Sequence, residues 1–248
     1  MRERICGSKK ILVVLVLFLT SWAYGQVITS GEISYTRRTN LEKRYKGNKR
    51  MAGQSKKWLQ EPKVDKYTLY FDENASLFMP MPVIAGEEDR EWTTTKTTTL
   101  TDLRKGTVER QFNFMGSEIY LNDTITKRDW IITGGTRDIA GYKTKQAMWI
   151  ANDSTKIYAW YSEQIRPSVG PETYSGLPGA ILGLAIEDGG VVYFAEKVTP
   201  LKLKDFRNKM PKGKDKNTYT KKSLYDFIIS RFTKEDYGGR ILDDILIW

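Results

Sequence analysis

The sequence predicts a β-rich α+β fold in which an antiparallel sheet comes first and a helix last. Three observations lead to that class. Short segments alternate apolar and polar residues, turn-forming residues separate them, and a single late segment has helical periodicity.

Ile33 and Tyr35, after Gly31, open the first strand, and a polar, Lys-rich loop is expected to project from the sheet between Arg37 and Lys57. Tyr67, Leu69 and Phe71 mark the next strand, and "YFDENASLFM" reads as a hairpin bending at Asp72, Glu73 and Asn74. The threonines of "EWTTTKTTTLTDL" suit an exposed strand. Val108, Phe112 and Phe114 alternate again, and "EIYLNDTITKRDWII" is expected to turn at Asn122 and Asp123. Ile157, Ala159 and Tyr161 form a further half-buried strand, and the continuous apolar run "AILGLAI" reads as a central one. Asp188, Gly189 and Gly190 then turn the chain into "VVYFAEKV". In "KNTYTKKSLYDFIISRF", Leu224, Phe227, Ile228 and Phe232 share one helical face and Thr220 stands as N-cap, so a helix is expected over about 220–233.

The first 25 residues have the layout of a secretory signal peptide. Arg2, Arg4, Lys9 and Lys10 precede an apolar run from Ile11 to Leu19, and small residues follow at Ala23 and Gly25. Nine apolar residues are too few to span a bilayer, so export with cleavage after Gly25 is expected. Residues 26–248 then form a single domain, because no repeat and no Gly/Ser-rich linker divides them.

Composition excludes several chemistries. The one cysteine, Cys6, lies ahead of the apolar run, and the chain contains no histidine. A mature chain without either residue has no disulfide, no thiolate ligand and no imidazole base, which removes Ser-His-Asp and Cys-His catalysis and the usual zinc sites. The expectation is therefore no metal and no cofactor. The formal charge of +10 includes +3 from the signal peptide, leaving +7, and Lys202 to Lys222 alone carries nine basic and two acidic residues. That segment, 202–222, is expected to be a solvated connector, with attraction to an anionic envelope surface left open. It lacks the recognition helix and stacking aromatics of a nucleic-acid reader.

The segment "VGPETYSGLPGAILGL" concentrates conformational signals. Gly176 and Gly179 accept positive φ, Pro178 fixes φ, and Leu177 is the large apolar group between them, which together suggest a tight corner around a buried leucine. A phosphate-binding loop does not fit, because no Gly-Lys-Ser/Thr follows and an apolar strand stands where the helix should start.

Here the chain resembles the GLPGLI family of exported Bacteroidetes proteins. "RDWIITGGTRDIAGYKTKQAMW", "IYAWYSEQI", "VGPETYSGLPGAILGL" and "VYFAEKV" carry the likeness, over Arg128 to Val198. Gly170, Pro171, Gly176, Leu177, Pro178, Gly179, Ala180 and Ile181 are the motif positions. Ala180 stands where leucine is usual, and Thr144 where many members have cysteine. The resemblance implies export and a curved antiparallel sheet, with no established activity; a half-barrel-like form of that sheet is expected from fold analogy with lipoprotein carriers.

Tyr158, Trp160 and Tyr174 are the candidate binding residues, either lining a hydrophobic pocket or packing the sheet's core. Two functional classes remain. One is a non-enzymatic envelope accessory or binding protein, whose partner would be an envelope protein or a hydrophobic ligand. The other is a carboxylate-dependent hydrolase drawing on Glu163, Glu172, Glu187 and Asp188, although nothing in their spacing marks a catalytic pair. The apolar ending "EDYGGRILDDILIW" is expected to dock on the sheet, on the last helix or on a partner.

Overall fold

The computed structural model describes residues 27–46, 57–83, 85–86, 88–114, 116–151, 154–213 and 217–231. The predicted signal peptide, Cys6 and the apolar ending lie outside the described residues. Among the described residues no helix is long and apolar enough to cross a membrane.

The strands are β1 (Gly31–Thr39), β2 (Lys63–Phe71), β3 (Ala75–Pro80), β4 (Thr97–Asp102), β5 (Thr107–Phe114), β6 (Ser117–Thr124), β7 (Ile131–Ile139), β8 (Tyr142–Ile150), β9 (Lys156–Ser162), β10 (Ala180–Ile186), β11 (Val191–Pro200) and β12 (Thr218–Tyr219). Helices α1 (Leu41–Arg44) and α2 (Lys57–Gln60) follow β1, and α3 (Lys221–Arg231) follows β12. They form one 12-stranded sheet in the order β12-β6-β5-β4-β3-β2-β1-β11-β10-β9-β8-β7. Every pairing among the long strands is antiparallel, and β12 joins β6 in parallel.

The connectivity requires curvature. β6 and β7 are consecutive in sequence, joined by Ile125 to Trp130, yet ten strand steps separate them in the sheet. Laid flat, ten steps cover about 48 Å. Seven Cα-to-Cα steps span at most about 25 Å. The sheet must therefore curl until its two ends approach, which gives the open, curved, antiparallel architecture expected for the fold class.

The inner face follows from alternation. Ile33, Tyr35, Arg37 and Thr39 of β1 lie opposite Leu69, Tyr67, Asp65 and Lys63 of β2, and all eight are buried. The main core gathers Tyr35, Tyr67, Phe78, Leu184 and Tyr193 with Ile165, Val169, Tyr174 and Leu177 from the β9–β10 connection. Tyr67 stacks on Phe78 with ring centroids 4.6 Å apart.

Asp72 and Asn74 form the expected bend, with the Asp72 side chain accepting hydrogen bonds from the amides of Asn74 and Ala75. Thr220 accepts from the Ser223 amide at 3.2 Å while Ser223 Oγ accepts from the Thr220 amide at 2.9 Å, a reciprocal cap that fixes the start of α3. Leu224 and Ile228 bury against Phe112, Ile119 and Leu121. Phe232 lies outside the described residues.

Four local expectations need correction. The stretch from Arg37 does not leave the sheet: Arg37 to Thr39 complete β1, and Leu41 of α1 is fully buried. The threonine strand β4 is not exposed, since Thr97, Thr98, Thr99 and Thr101 are buried between the neighbouring strands and the segments covering both faces. Asn122 and Asp123 do not turn; they pair with Glu109 and Val108 inside β6, and the β5–β6 turn is at Gly116. The basic segment is not wholly a solvated connector. Phe206 and Met210 bury against Ala75 and Leu77 on the outer face, and Arg207 pairs with Asp72 at 3.1 Å.

Candidate functional site

The connection between β9 and β10 does not skirt the sheet. It folds into the curved interior as a plug. Ala180 donates to the Ile165 carbonyl at 2.9 Å, Ile181 to Val169 at 2.8 Å and Tyr174 to Pro171 at 3.0 Å, so the loop carries its own backbone pairing. From the sheet, Tyr35 Oη donates to the Ile181 carbonyl at 2.6 Å.

Each motif residue has a geometric role in this plug. Gly176 takes φ +95°, and Leu177 buries beneath it at 3% exposure. Gly170 is packed so that a Cβ would lie 2.8 Å from the Tyr174 carbonyl and 2.9 Å from Ile181. At Gly179, with φ +152°, a Cβ would lie 2.1 Å from the Ser162 carbonyl oxygen. Pro171 is buried and Pro178 exposed, while Ala180 and Ile181 are fully buried at the start of β10.

At the centre of the plug is Glu172, 3% exposed and held in left-handed backbone at φ +55°. Its carboxylate accepts from Thr97 Oγ1 of β4 and from Tyr193 Oη of β11 at 2.9 Å, and lies 3.8 Å from Arg110 Nη2 of β5. One carboxylate thus ties together strands that lie four and five places from β11 in the sheet order, which only a strongly curled sheet permits. Burial pushes the Tyr193 phenol far above its ordinary range, so it stays a neutral donor.

Beside Glu172 runs a second buried network. Asp65 accepts from Arg37 Nη2 at 2.7 Å, Lys63 Nζ at 3.1 Å and Thr94 Oγ1 at 3.1 Å. Burial alone would raise the Asp65 carboxyl; the adjoining Arg37 and then Lys63 outweigh it and hold the carboxyl at about 2. Between the two networks lies a cavity of about 20 Å³, lined by Arg37, Thr94, Thr97, Arg110, Glu172 and Tyr193 among others. That volume suits about one water molecule.

A third cluster clamps the plug from the β6–β7 link. The Arg128 guanidinium lies 4.2 Å from the Tyr174 ring centroid and 5.3 Å from that of Trp149. It donates to Thr173 O and Oγ1, both at 2.9 Å, and Trp130 Nε1 donates to Ser175 O at 3.0 Å. Burial pulls the Arg128 guanidinium down, opposed by the neighbouring Tyr174.

The candidate binding residues do not come together. Tyr174 packs on the inner face against Trp130 and Trp149. Trp160 pairs in register with Gln146 and Gly183 on the opposite face, covered by the Arg137 guanidinium at 4.3 Å. Tyr158, two residues earlier on that face, is half-buried. The candidate carboxylates are also dispersed. Glu163 and Glu187 are exposed partners of Lys145 and Lys156, and Asp188 caps its own turn at the Gly190 amide, so only Glu172 enters the interior.

Sequence reasoning missed Arg37, Asp65 and Arg110. The signal was alternation itself, since Arg110 sits between Val108 and Phe112 on the same strand parity. Substituting Glu172 by Gln, which keeps an acceptor for Thr97 and Tyr193 but removes the charge facing Arg110, is expected to cost about 1–3 kcal/mol in urea unfolding. An unchanged unfolding midpoint would show that the charge is not needed.

A family model described as a protein of unknown function (Porph_ging), a Bacteroidetes-associated family, matches residues 122–183, the stretch from the end of β6 to the middle of β10. No curated protein matches the chain. Two solved structures of PNGF-II superpose on it with a TM-score of 0.53. In the C2 crystal form the identity is 17% over 82% of this chain and 33% of that one. In the P21 form it is 15% over 80% and 32%. The chain spans about a third of the length of PNGF-II, and the likeness is one of β-rich fold.

Proposed function

We propose that the protein is an exported cell-envelope accessory protein of the GLPGLI type that acts by binding, with its surface as the working part and its interior closed. The observation that carries this reading is the plug: the curved sheet fills its own concavity with the Glu163 to Gly179 connection, leaving about 20 Å³ beside Glu172. A small-molecule site usually offers about 300–1,000 Å³. A groove of about 880 Å³ does exist at the rim, where Val27 to Ser30, Ala140 to Tyr142 and Pro200 to Lys202 meet, but it is open to solvent.

Hydrolysis gains no support from the carboxylates, because Glu163 and the neighbouring Glu187 and Asp188 are engaged at the surface by Lys145, by Lys156 and by the Gly190 amide, while Glu172 alone of the four is buried in the interior. Lys202, Lys204 and Lys212 remain exposed on the basic segment and would mediate any attraction to an anionic envelope surface.

The test is native mass spectrometry on protein purified from the envelope fraction of its own cells. The expected mass is that of residues 26–248 alone. A retained Met1 to Gly25 would overturn export with cleavage, and a co-purifying lipid mass would replace surface binding with carriage of a hydrophobic ligand, seated in the rim groove.

A further inference from the structure

The buried charges of the curled sheet do not balance. Arg37, Lys63, Arg110 and Arg128 are each at most 7% exposed, whereas Asp65 and Glu172 are the buried carboxylates among the described residues. The partly buried Lys96 and Glu91 extend the Asp65 network with one charge of each sign, so the excess of cations stands. Buried charge that is not offset is costly in an interior of low dielectric.

The cost falls on two guanidiniums. Burial pulls Arg110 and Arg128 below their ordinary value, and the like charge of Arg110 adds to the lowering at Arg128. Glu172 offsets this only in part. Its oxygens take the hydroxyl protons of Thr97 and Tyr193, and Arg110 Nη2 stays 3.8 Å from the carboxylate, beyond hydrogen-bond reach of it.

The excess converges on the cavity between the two networks. Arg37 lines it from β1, Arg110 from β5 and the half-buried Arg44 from α1, and Glu172 is the one carboxylate among the described lining residues. Arg37 arrives already paired with Asp65, so Arg44 and Arg110 set the positive sign of the space. Thr39, Thr94, Thr95, Thr97 and Tyr193 make the rest of the lining polar apart from Val191.

Size then selects the occupant. About 20 Å³ admits one water-sized particle. A monatomic anion such as chloride meets that limit, whereas sulfate, phosphate and organic carboxylates exceed it. Water fits as well, but it brings no charge to offset the excess.

We propose that a chloride-sized anion binds in this cavity, between Arg44 and Arg110, as the counter-ion of the plugged interior. The site exists only when α1, β1, β4, β5 and the β9–β10 connection are assembled around it, so the ion binds the folded chain and not the unfolded one. Anion binding is thereby linked to stability.

The experiment is urea unfolding of the purified protein at constant ionic strength, with chloride replacing gluconate, an anion too large for the cavity. The unfolding equilibrium constant should fall along a saturable curve, by roughly tenfold once chloride stands at ten times its dissociation constant. Arg44→Gln, at a half-buried position where the fold should survive, is expected to weaken that dependence. Equal stability in the two salts would overturn the proposal, and so would the same chloride dependence in both proteins, which would mark a general salt effect. As a direct measurement, crystals grown in bromide should show an anomalous peak in the cavity. A water there without anomalous signal, or bromide at the surface only, would also overturn it.

Discussion

Gly179→Val is expected to lower stability by about 3 kcal/mol or more, and to shift the melting temperature by roughly 6–12 °C for a chain of this size. The reason is backbone meeting backbone. A Cβ at position 179 would stand 2.1 Å from the Ser162 oxygen, 2.7 Å from its carbonyl carbon and 3.1 Å from the Glu163 Cα. No rotamer relieves contacts with main-chain atoms, so the strand pairing between Ala180 and Ser162 must open. Gly176 supplies the comparison. Its φ is +95°, but the nearest atom to an added Cβ is 3.5 Å away on Trp130, so Gly176→Ala should cost about 1–2 kcal/mol through backbone strain alone. Thermal unfolding of the two variants side by side checks both. Equal losses would mean that conformation, and not the close approach to Ser162, governs the corner.

Asp65→Asn is expected to cost about 3–5 kcal/mol, because it leaves Arg37 and Lys63 buried without the carboxylate between them. Their side chains are 8% and 1% exposed, and that of Asp65 is 0%. The same residue sets part of the acid stability. A carboxyl lowered from 3.8 to about 2 on folding stabilises the native state above pH 4, and that contribution, about 2 kcal/mol, is lost as pH falls from about 4 through 2. The acid limb of the stability curve should therefore be shallower in Asp65→Asn. An unchanged limb would assign acid unfolding to other carboxylates. Replacing Arg37 by Met in the Asp65→Asn background should recover part of the loss by removing the stranded cation, and a double variant less stable than the single one would contradict the ion-pair account.

These two residues also show how much of the molecule was legible in advance. Gly179 stood out because glycine and proline carry conformational information within a few residues, and a corner is a local object. Asp65 did not. It shares strand parity with Tyr67, Leu69 and Phe71, yet a carboxylate on an apolar parity reads as a strand end when its partners are invisible. Arg37 pairs with it from β1, Thr94 from the segment before β4, and Glu91 joins through Lys63 from a short helical turn. The expected loop from Arg37 onward failed for the same reason: polar residues were assigned to solvent when strand pairing had buried them.

The aromatic trio illustrates a related limit. Alternation correctly put Tyr158 and Trp160 on one face of β9, but the face on which Tyr174 lands depends on a 17-residue connection between β9 and β10, from Glu163 to Gly179. No periodicity describes such a loop. The Thr220 cap, the Asp72 bend and the apolar run of β10, by contrast, are set by contacts within about four residues or by composition.

What the sequence by itself determined is therefore the local layer: strands before the helix α3, the central apolar strand β10, the turns at Asp72 and Gly189, and the exclusion of imidazole chemistry from a chain without histidine. Tertiary structure alone decided that β6 and β7, neighbours in sequence, become opposite ends of one curled sheet, and that the β9–β10 connection fills the space this creates. Local propensity acts through neighbours along the chain, whereas curvature and closure depend on pairings up to 171 residues apart, as between Ser30 and Leu201, whose energies no single segment contains.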